Sequence, residues 1–315
     1  MGLEGKRVWL AACAAVVLLL AGAWFLLFGS RGSEVALDEA AHEAAQVAAD
    51  SRPVLRVAVS AMISPSATRQ YYNDVLNVIG DKVGRRVEFI QRKTYAEVNA
   101  LVEDREVDLA FVCSGPYVDG HKRFGMEMLA VPVSHGEKVY YSYVIVPKDS
   151  RAASLKDLRG KTFAFTDPSS NTGCLVPTYM LARMGETPSS FFGHTFFSNS
   201  HDNSIKAVAE GQADGASVDS LIWEFMKAED DPYVARTRVI DKSPPYGIPP
   251  VVVHPDLDPA LKAGLKDALL SLDKDVRARP YLDSLKIERF VPGDDGSYDS
   301  VREMDRWLKK KGSPE

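Results

Sequence analysis

Four short hydrogen-bonding side chains stand together at Ser169, Ser170, Asn171 and Thr172, flanked by Thr166-Asp167-Pro168 and by Gly173-Cys174-Leu175-Val176-Pro177. Lys161-Thr-Phe-Ala-Phe165 has the composition of a short strand, and Asp167-Pro168 ends it. Leu175 and Tyr179-Met180-Leu181 then supply the apolar face of a helix expected to begin near Thr172. The first N–H groups of a helix have no intrahelical partner, and its dipole favours negative charge, so this stretch can hold a small oxyanion. The same residues also suit an ordinary capped helix that binds nothing, and the rest of the chain has to distinguish the two.

Covalent chemistry fits less well. Ser170, His201 and Asp219 include the residue types of a hydrolytic triad, but no serine lies in a Gly-x-Ser-x-Gly elbow. The six histidines form no ligand-spaced pair, so neither a metal nor a cofactor is expected. The chain is read as a binder, not an enzyme.

The elements around the polar stretch repeat a β/α pattern. Leu55–Val59, Arg86–Ile90 and Val107–Val112 read as strands, with helical spacing over Tyr71–Val83 and Tyr95–Val102 between them. Met128–Val133 and Tyr140–Val146 are further apolar runs. A second series comes next: strands at Lys161–Phe165, His194–Phe197 and Ala213–Val218, and helices after Leu175, over Ser204–Ala209 and after Asp219. Val239–Val253 is extended and studded with prolines, which suits a return crossing. Leu257–Leu272 and Val301–Leu308 supply closing helices. Two α/β halves with largely parallel sheets, joined by two extended crossings, imply a cleft. Ligands of open α/β sheets sit beyond the carboxyl ends of strands, where Ser60–Ser64, Cys113–Tyr117, Thr166–Thr172 and Val218-Asp219 all fall. The expected division is 53–146 with 250–315 as the first lobe and 147–249 as the second.

With 315 residues, 45% of them hydrophobic, the chain is long enough for two cores. Its net charge of -5, with Lys and Arg scattered, argues against nucleic acid as a partner. Lys6-Arg7 precedes an uncharged run of 21 residues, Val8–Phe28, long enough to cross a hydrocarbon core of about 30 Å. The positive flank belongs on the cytoplasmic side, so the chain beyond Phe28 is expected to be exported. Trp24-Phe25-Leu26-Leu27-Phe28 is a poor approach to a cleavage site, which favours an uncleaved signal anchor over residues 1–29. Leu10-Ala11-Ala12-Cys13 has the form of a lipidation box, but most of the apolar core lies after it. Residues 30–52 are polar and Ala/Glu-rich, a tether.

Asp167-Pro-Ser-Ser-Asn-Thr-Gly-Cys-Leu-Val-Pro177 is the most distinctive stretch; Val107-Asp-Leu-Ala-Phe111, Gly211-Gln-Ala-Asp-Gly215 with Asp219-Ser220, and Ser243-Pro-Pro with Pro249-Pro-Val-Val-Val253 accompany it. Together they make Leu55–Leu308 resemble the phosphate/phosphite/phosphonate periplasmic substrate-binding family that serves ABC importers. The resemblance implies an α/β, two-lobed type II periplasmic binding protein, and the apolar run over residues 8–28 would tether it at the inner membrane. Its partners would be a small oxyanion (phosphite, phosphate or a phosphonate) and an ABC permease. It further implies that Ser169, Ser170, Asn171 and Thr172 hold the oxyanion together with Tyr95, Tyr140 and His201, near Ser114. Asp219 would either cap the next helix or accept a hydrogen from a protonated ligand oxygen. Family members that take aminoalkylphosphonates carry a carboxylate in the return segment, whereas Tyr246-Gly-Ile-Pro-Pro250 has none; this favours a small, tail-less ligand.

Cys113 and Cys174 leave three readings open: a disulfide, two buried thiols, or two cleft thiols suited to a soft ligand. Arsenite-sensing relatives of the family use a cleft cysteine, and with that reading comes an alternative function: a membrane-tethered oxyanion or arsenite sensor that signals to a histidine kinase.

Overall fold

The computed structural model describes residues 50–311, with the side chains of Pro65, Ser66 and Lys311 left aside. The expected signal anchor, and the tether up to residue 49, lie outside the described residues.

Two sheets organise the chain. The first has the order β13-β4-β12-β3-β1-β2, with β1 Val54–Val59, β2 Arg86–Ile90, β3 Leu109–Phe111, β4 Glu127–Val133, β12 Val251–Val253 and β13 Arg289–Val291. The second has the order β10-β6-β9-β7-β8, with β6 Ser142–Pro147, β7 Thr162–Phe165, β8 His194–Phe197, β9 Gly215–Asp219 and β10 Thr237–Lys242. In each, the three strands expected from the β/α pattern pair in parallel: β2-β1-β3 and β8-β7-β9. Each sheet then gains antiparallel strands, β12, β4 and β13 in the first and β6 and β10 in the second, so both are mixed.

Strands buried on both faces alternate between two apolar layers. In the first sheet Leu55, Val57, Val59, Leu109, Phe111, Val251 and Val253 face one core, while Ala58, Ala110 and Val252 face the other. In the second, Val144, Val146, Phe163 and Phe165 enter one core and Ile145, Ala164, Ala216 and Val218 the other.

A two-stranded ribbon, β5 Val139–Tyr140 with β11 Tyr246–Gly247, lies between the sheets in both passages of the chain. The expected lobe boundary at residues 146 and 147 puts the first crossing at the end of Tyr140–Val146, but Ser142–Pro147 are paired inside the second sheet, and the chain leaves the first sheet at Val133. The apolar run Tyr140–Val146 hides the break, because Tyr141, between the ribbon strand and β6, is a strand-forming residue like its neighbours. The helix Ser114–Phe124 is also absent from the sequence pattern, since Gly115, Pro116 and Gly120 read as loop. A strand end positions its start, and the turn made by left-handed Gly125 closes it.

Candidate functional site

The carboxyl ends of the parallel strands of both sheets lead into the same region. After β1 comes Ser60, after β3 Cys113-Ser114, after β7 Thr166-Asp167, and at the end of β9 Asp219, every one of them buried. The lobes meet here through main-chain bonds: Tyr95 N–H donates to Asp167 Oδ2 at 3.1 Å, and His201 N–H to the Met62 carbonyl at 3.0 Å. Ser64 N–H donates to Asp202 Oδ1 at 2.9 Å. Gly115 packs so closely on the Ser169 carbonyl that a Cβ would lie 2.5 Å from its oxygen.

The expected helix near Thr172 begins as a π turn, Asn171–Leu175, and continues as the α-helix Val176–Arg183. Ser170 Oγ caps it by accepting from Gly173 N–H at 3.0 Å. The Thr172 carbonyl accepts from both Ser142 Oγ and Ser217 Oγ at 2.7 Å, which ties the turn to β6 and β9. Gly173 is required: a Cβ there would sit 2.5 Å from Thr166. Such π turns recur at binding sites because they re-aim side chains within a helix.

His201 starts the helix His201–Ala209, capped by Ser200. Its Nδ1 accepts from Asp219 N–H at 3.1 Å and lies 3.0 Å from Thr166 Oγ1. Burial holds its pKa down to about 3, so the ring is neutral at pH 7. With Nδ1 accepting a backbone proton, the ring hydrogen sits on Nε2, which is buried and has no partner. Asp219 uses Oδ1 to cap the helix Ser220–Ala228 through Leu221 N–H at 2.7 Å, and its Oδ2 is unpartnered. Burial pushes this carboxyl up to about 7, against the pull of the Leu221 and Ile222 N–H groups.

Tyr95 opens the helix Tyr95–Glu103, which Thr94 and Glu97 cap reciprocally. Its phenol is fully buried and has no geometric partner; burial, then Cys113, Asp167 and Asp219, push its pKa up, so it stays a neutral donor. Tyr140, on the ribbon, accepts from Asn171 Nδ2 at 3.1 Å and lies 3.6 Å from the Cys113 sulfur. This leaves Asn171 Oδ1 without a partner. Exchanging the amide's O and N makes Tyr140 the donor and turns the amide N–H toward the site, at no cost in shape.

Ser60 Oγ, Tyr95 Oη, Asn171 Oδ1, Thr172 Oγ1, His201 Nε2 and Asp219 Oδ2 are thus buried and unpartnered together. Buried polar groups are otherwise almost always paired, so this cluster is shaped for a polar ligand. Bonds and packing draw them together: Asp219 N–H meets His201 Nδ1 at 3.1 Å, Asn171 Nδ2 meets Tyr140 Oη at 3.1 Å, and Tyr95 packs with Cys113. Three of the groups are hydroxyls and one is a ring N–H, and among the described residues no Lys or Arg donates to any of the six. Positive potential comes instead from the helix starts at Tyr95, Ser114, Asn171 and His201.

A family model of ABC transporter phosphonate periplasmic substrate-binding proteins matches residues 57–298. The chain belongs to this family. Its members are periplasmic by description, which places the folded part outside the cytoplasm, and its fold is the two-lobed type II binding-protein fold. The phosphate-import protein PhnD of Mycolicibacterium smegmatis is 30% identical over 185 residues, 55% of this chain and 57% of the relative. The phosphonates-binding periplasmic protein of Escherichia coli is 26% identical over 236 residues, 73% of this chain and 70% of the relative. The match therefore spans between 57% and 70% of those relatives' length. A Pseudomonas aeruginosa structure, the binding-protein component of an ABC phosphonate transporter, superposes with a TM-score of 0.77 at 25% identity, over 82% of this chain and 87% of that one.

Within this binding protein the sequence-derived site residues separate into groups. Tyr95, Asn171, Thr172, His201 and Asp219 bring unpartnered polar atoms to the cradle, and Tyr140 positions Asn171. Ser170 spends its oxygen on the cap, which leaves its hydroxyl hydrogen free to donate. Ser169 is half-buried with its N–H on Asp167 Oδ1 at 2.7 Å, and Ser114 Oγ donates to the Gly247 carbonyl at 2.6 Å. The cysteines part company. Cys113 is buried among Ala61, Met62 and Tyr95, whereas Cys174 packs against the Phe163 and Phe165 core of the second sheet, and both thiols are free. The pair of cleft thiols is therefore not formed: three residues after Asn171, part of a turn round the π segment, Cys174 packs against the second-sheet core instead. Among the described residues no cluster of three His, Cys, Asp or Glu side chains suits a metal. Ser60 joins the cradle although its sequence gives it no role beyond a strand end; its signal is the shared position after a parallel strand.

Proposed function

We propose that the protein is an extracytoplasmic receptor that closes on a small phosphorus oxyanion (phosphite, phosphate or a phosphonate) and presents it to an ABC permease. Residues 8–28 would tether it to the inner membrane, and it would do no covalent chemistry. The observation that carries this reading is the set of buried, unpartnered groups drawn from both lobes onto converging helix starts. Neutral donors without a cation bind a compact anion while leaving it releasable, which transport requires. Asp219, with its carboxyl up to about 7, accepts a hydrogen from a protonated ligand oxygen or gives one to a bare oxygen. It therefore tolerates phosphorus oxyanions that still carry a proton near pH 7. The relatives support the ligand class: one is named for phosphate import, the other for phosphonates. The moving joint would be the ribbon of Val139–Tyr140 and Tyr246–Gly247 with its flanks, the part of the fold where the chain passes between the sheets.

Calorimetric titration of the purified protein with phosphite, phosphate and methylphosphonate tests the reading, with small-angle scattering as a second readout. Saturable binding of at least one, accompanied by compaction, is expected. No heat and no compaction with any of the three would end it.

A further inference from the structure

Two helix starts of the first lobe take a carboxylate from the second. The helix Pro65–Lys82, which follows β1, has no side-chain cap of its own and no acid in its first turn. The Ser64 N–H just ahead of it donates instead to Asp202, at 2.9 Å to Oδ1 and 3.1 Å to Oδ2. The helix Tyr95–Glu103, which follows β2, opens on the Tyr95 N–H, and this donates to Asp167 Oδ2 at 3.1 Å. The acids are placed alike in their own lobe: Asp167 lies just past β7, and Asp202 in the first turn of the helix after β8. Adjacent parallel strands of one lobe thus present acids to the helices that follow adjacent parallel strands of the other. Neither carboxylate is among the unpartnered cradle atoms.

Resting on the receptor reading above, we propose that Asp202 and Asp167 form a latch: carboxylates of the second lobe that bond the helix starts of the first only while the cleft is shut, and so set the affinity for every ligand without touching one. A helix start carries partial positive charge, and a carboxylate on it makes a charge-assisted bond about twice as strong as a neutral one. Closing an empty cleft is otherwise opposed, because it buries Ser60 Oγ, Tyr95 Oη and Asp219 Oδ2 without partners. The latch offsets that cost. Losing it lowers the population of the closed form, and apparent affinity falls by the same factor. Both acids are therefore positioning residues. Asp202 is the one to test, because Asp167 also accepts from Ser169 N–H at 2.7 Å and so shapes the cradle loop, whereas Asp202 is half-buried with both oxygens on Ser64 N–H.

The test is calorimetric and stopped-flow titration of the full chain in detergent with phosphate and with methylphosphonate, together with fluorescence transfer between labels on the two lobes. Asp202→Ala should weaken both ligands by one common factor, about tenfold. Asp202→Asn, which keeps an oxygen acceptor but no charge, should weaken both by about threefold. The loss should lie in faster release with the encounter rate unchanged, and calorimetric stoichiometry should stay as in the wild type. A drop in stoichiometry at normal affinity would show that the residue only supports folding of its own helix, and overturns the latch. Loss for one ligand alone, or tighter binding of both, would mean that the carboxylate acts on the anion itself, which also overturns it, as does an unchanged affinity in Asp202→Ala. If the wild type binds neither ligand, the receptor reading fails, and the latch is judged by fluorescence transfer: Asp202→Ala should hold the unliganded lobes further apart, and an unchanged distance overturns the latch.

Discussion

The second lobe brings Asn171, Thr172, His201 and Asp219 to the cradle, and it holds three of them by bonds within itself: the Thr172 carbonyl by two serines, His201 by Thr166 and the Asp219 N–H, Asp219 by Leu221. The first lobe brings Ser60 and Tyr95, whose side-chain oxygens have no bond within that lobe, while the main-chain bonds across the cleft run both ways, Tyr95 N–H to Asp167 and His201 N–H to the Met62 carbonyl. One half of the cradle is therefore organised before the lobes meet, and the other is completed by their meeting. Under the proposed function, this asymmetry orders the steps: the ligand would dock on the second lobe, and the first would close over it.

The strongest way to break that order is to block closure without touching a ligand group. Gly115→Ala puts a methyl 2.5 Å from the Ser169 carbonyl, a main-chain oxygen that cannot swing aside. All ligands should lose affinity together, by about a hundredfold or more, since contacts from the first lobe are given up at once. Scattering should show an expanded particle with and without ligand; compaction with normal affinity would show that the cleft closes by another geometry.

Next, Thr172→Val and Tyr95→Phe each remove one hydroxyl donor to an anion, a loss of about 1.5–3 kcal/mol and so of about ten- to hundredfold in affinity. The totals should be alike but their kinetics should differ. In stopped-flow fluorescence Thr172→Val weakens the initial encounter, whereas Tyr95→Phe leaves the encounter intact and speeds release. Matching kinetic signatures would erase the proposed order of events.

A smaller effect concerns pH. His201 is held down to about 3 from 6.5, so the unfolded chain binds its proton first and stability from this group is lost as pH falls below 6.5. Asp219 is pushed up to about 7 from 3.8, so the folded chain binds its proton first and stability from this group is lost as pH rises from 3.8 through about 7. Between about pH 4 and 6.5 the two slopes oppose each other. Denaturation of the unliganded protein should vary little with pH there, and Asp219→Asn should expose a stability that declines as pH is lowered. An unchanged pH profile in that variant would mean that Asp219 is not the proton-binding group.

The cradle is legible in the sequence where chemistry and topology coincide. Asn171 and Thr172 lie shortly after one parallel strand and Asp219 at the end of another, and strand ends are visible as apolar runs stopped by polar residues. Ser60 obeys the same rule, but a lone serine carries no chemical signature. The Ser114–Phe124 helix is hidden by its own Gly and Pro residues, whose cost tertiary packing overrides: Gly115 is there to let the lobes touch. The cysteines are legible only in part, because an α-helical phase throughout would turn Cys174 toward the cleft. A π turn adds a residue per turn and changes which side chains look inward, and nothing in Asn171-Thr-Gly-Cys-Leu175 announces it.

That difference between the cysteines gives the smallest expected effect on binding and a further probe of the lobes. Burial raises the pKa of both thiols, Cys174 to about 12, so neither is a thiolate at pH 7. Cys113→Ser and Cys174→Ser should each change ligand affinity less than about fivefold, because neither sulfur is one of the unpartnered cradle atoms and the net worth of one neutral hydrogen bond is about 1 kcal/mol or less here. Reactivity, however, should divide them. Cys113 sits at the junction of the lobes, beside Tyr140 and Tyr95, so opening exposes it. Cys174 packs half-buried against the second-sheet core, whether or not the lobes part. A thiol reagent should therefore label Cys113 more slowly when ligand holds the cleft shut, while labelling of Cys174 is unaffected. Equal protection of both would show that ligand stiffens the second lobe as a whole, and the asymmetry between the lobes would have to be abandoned.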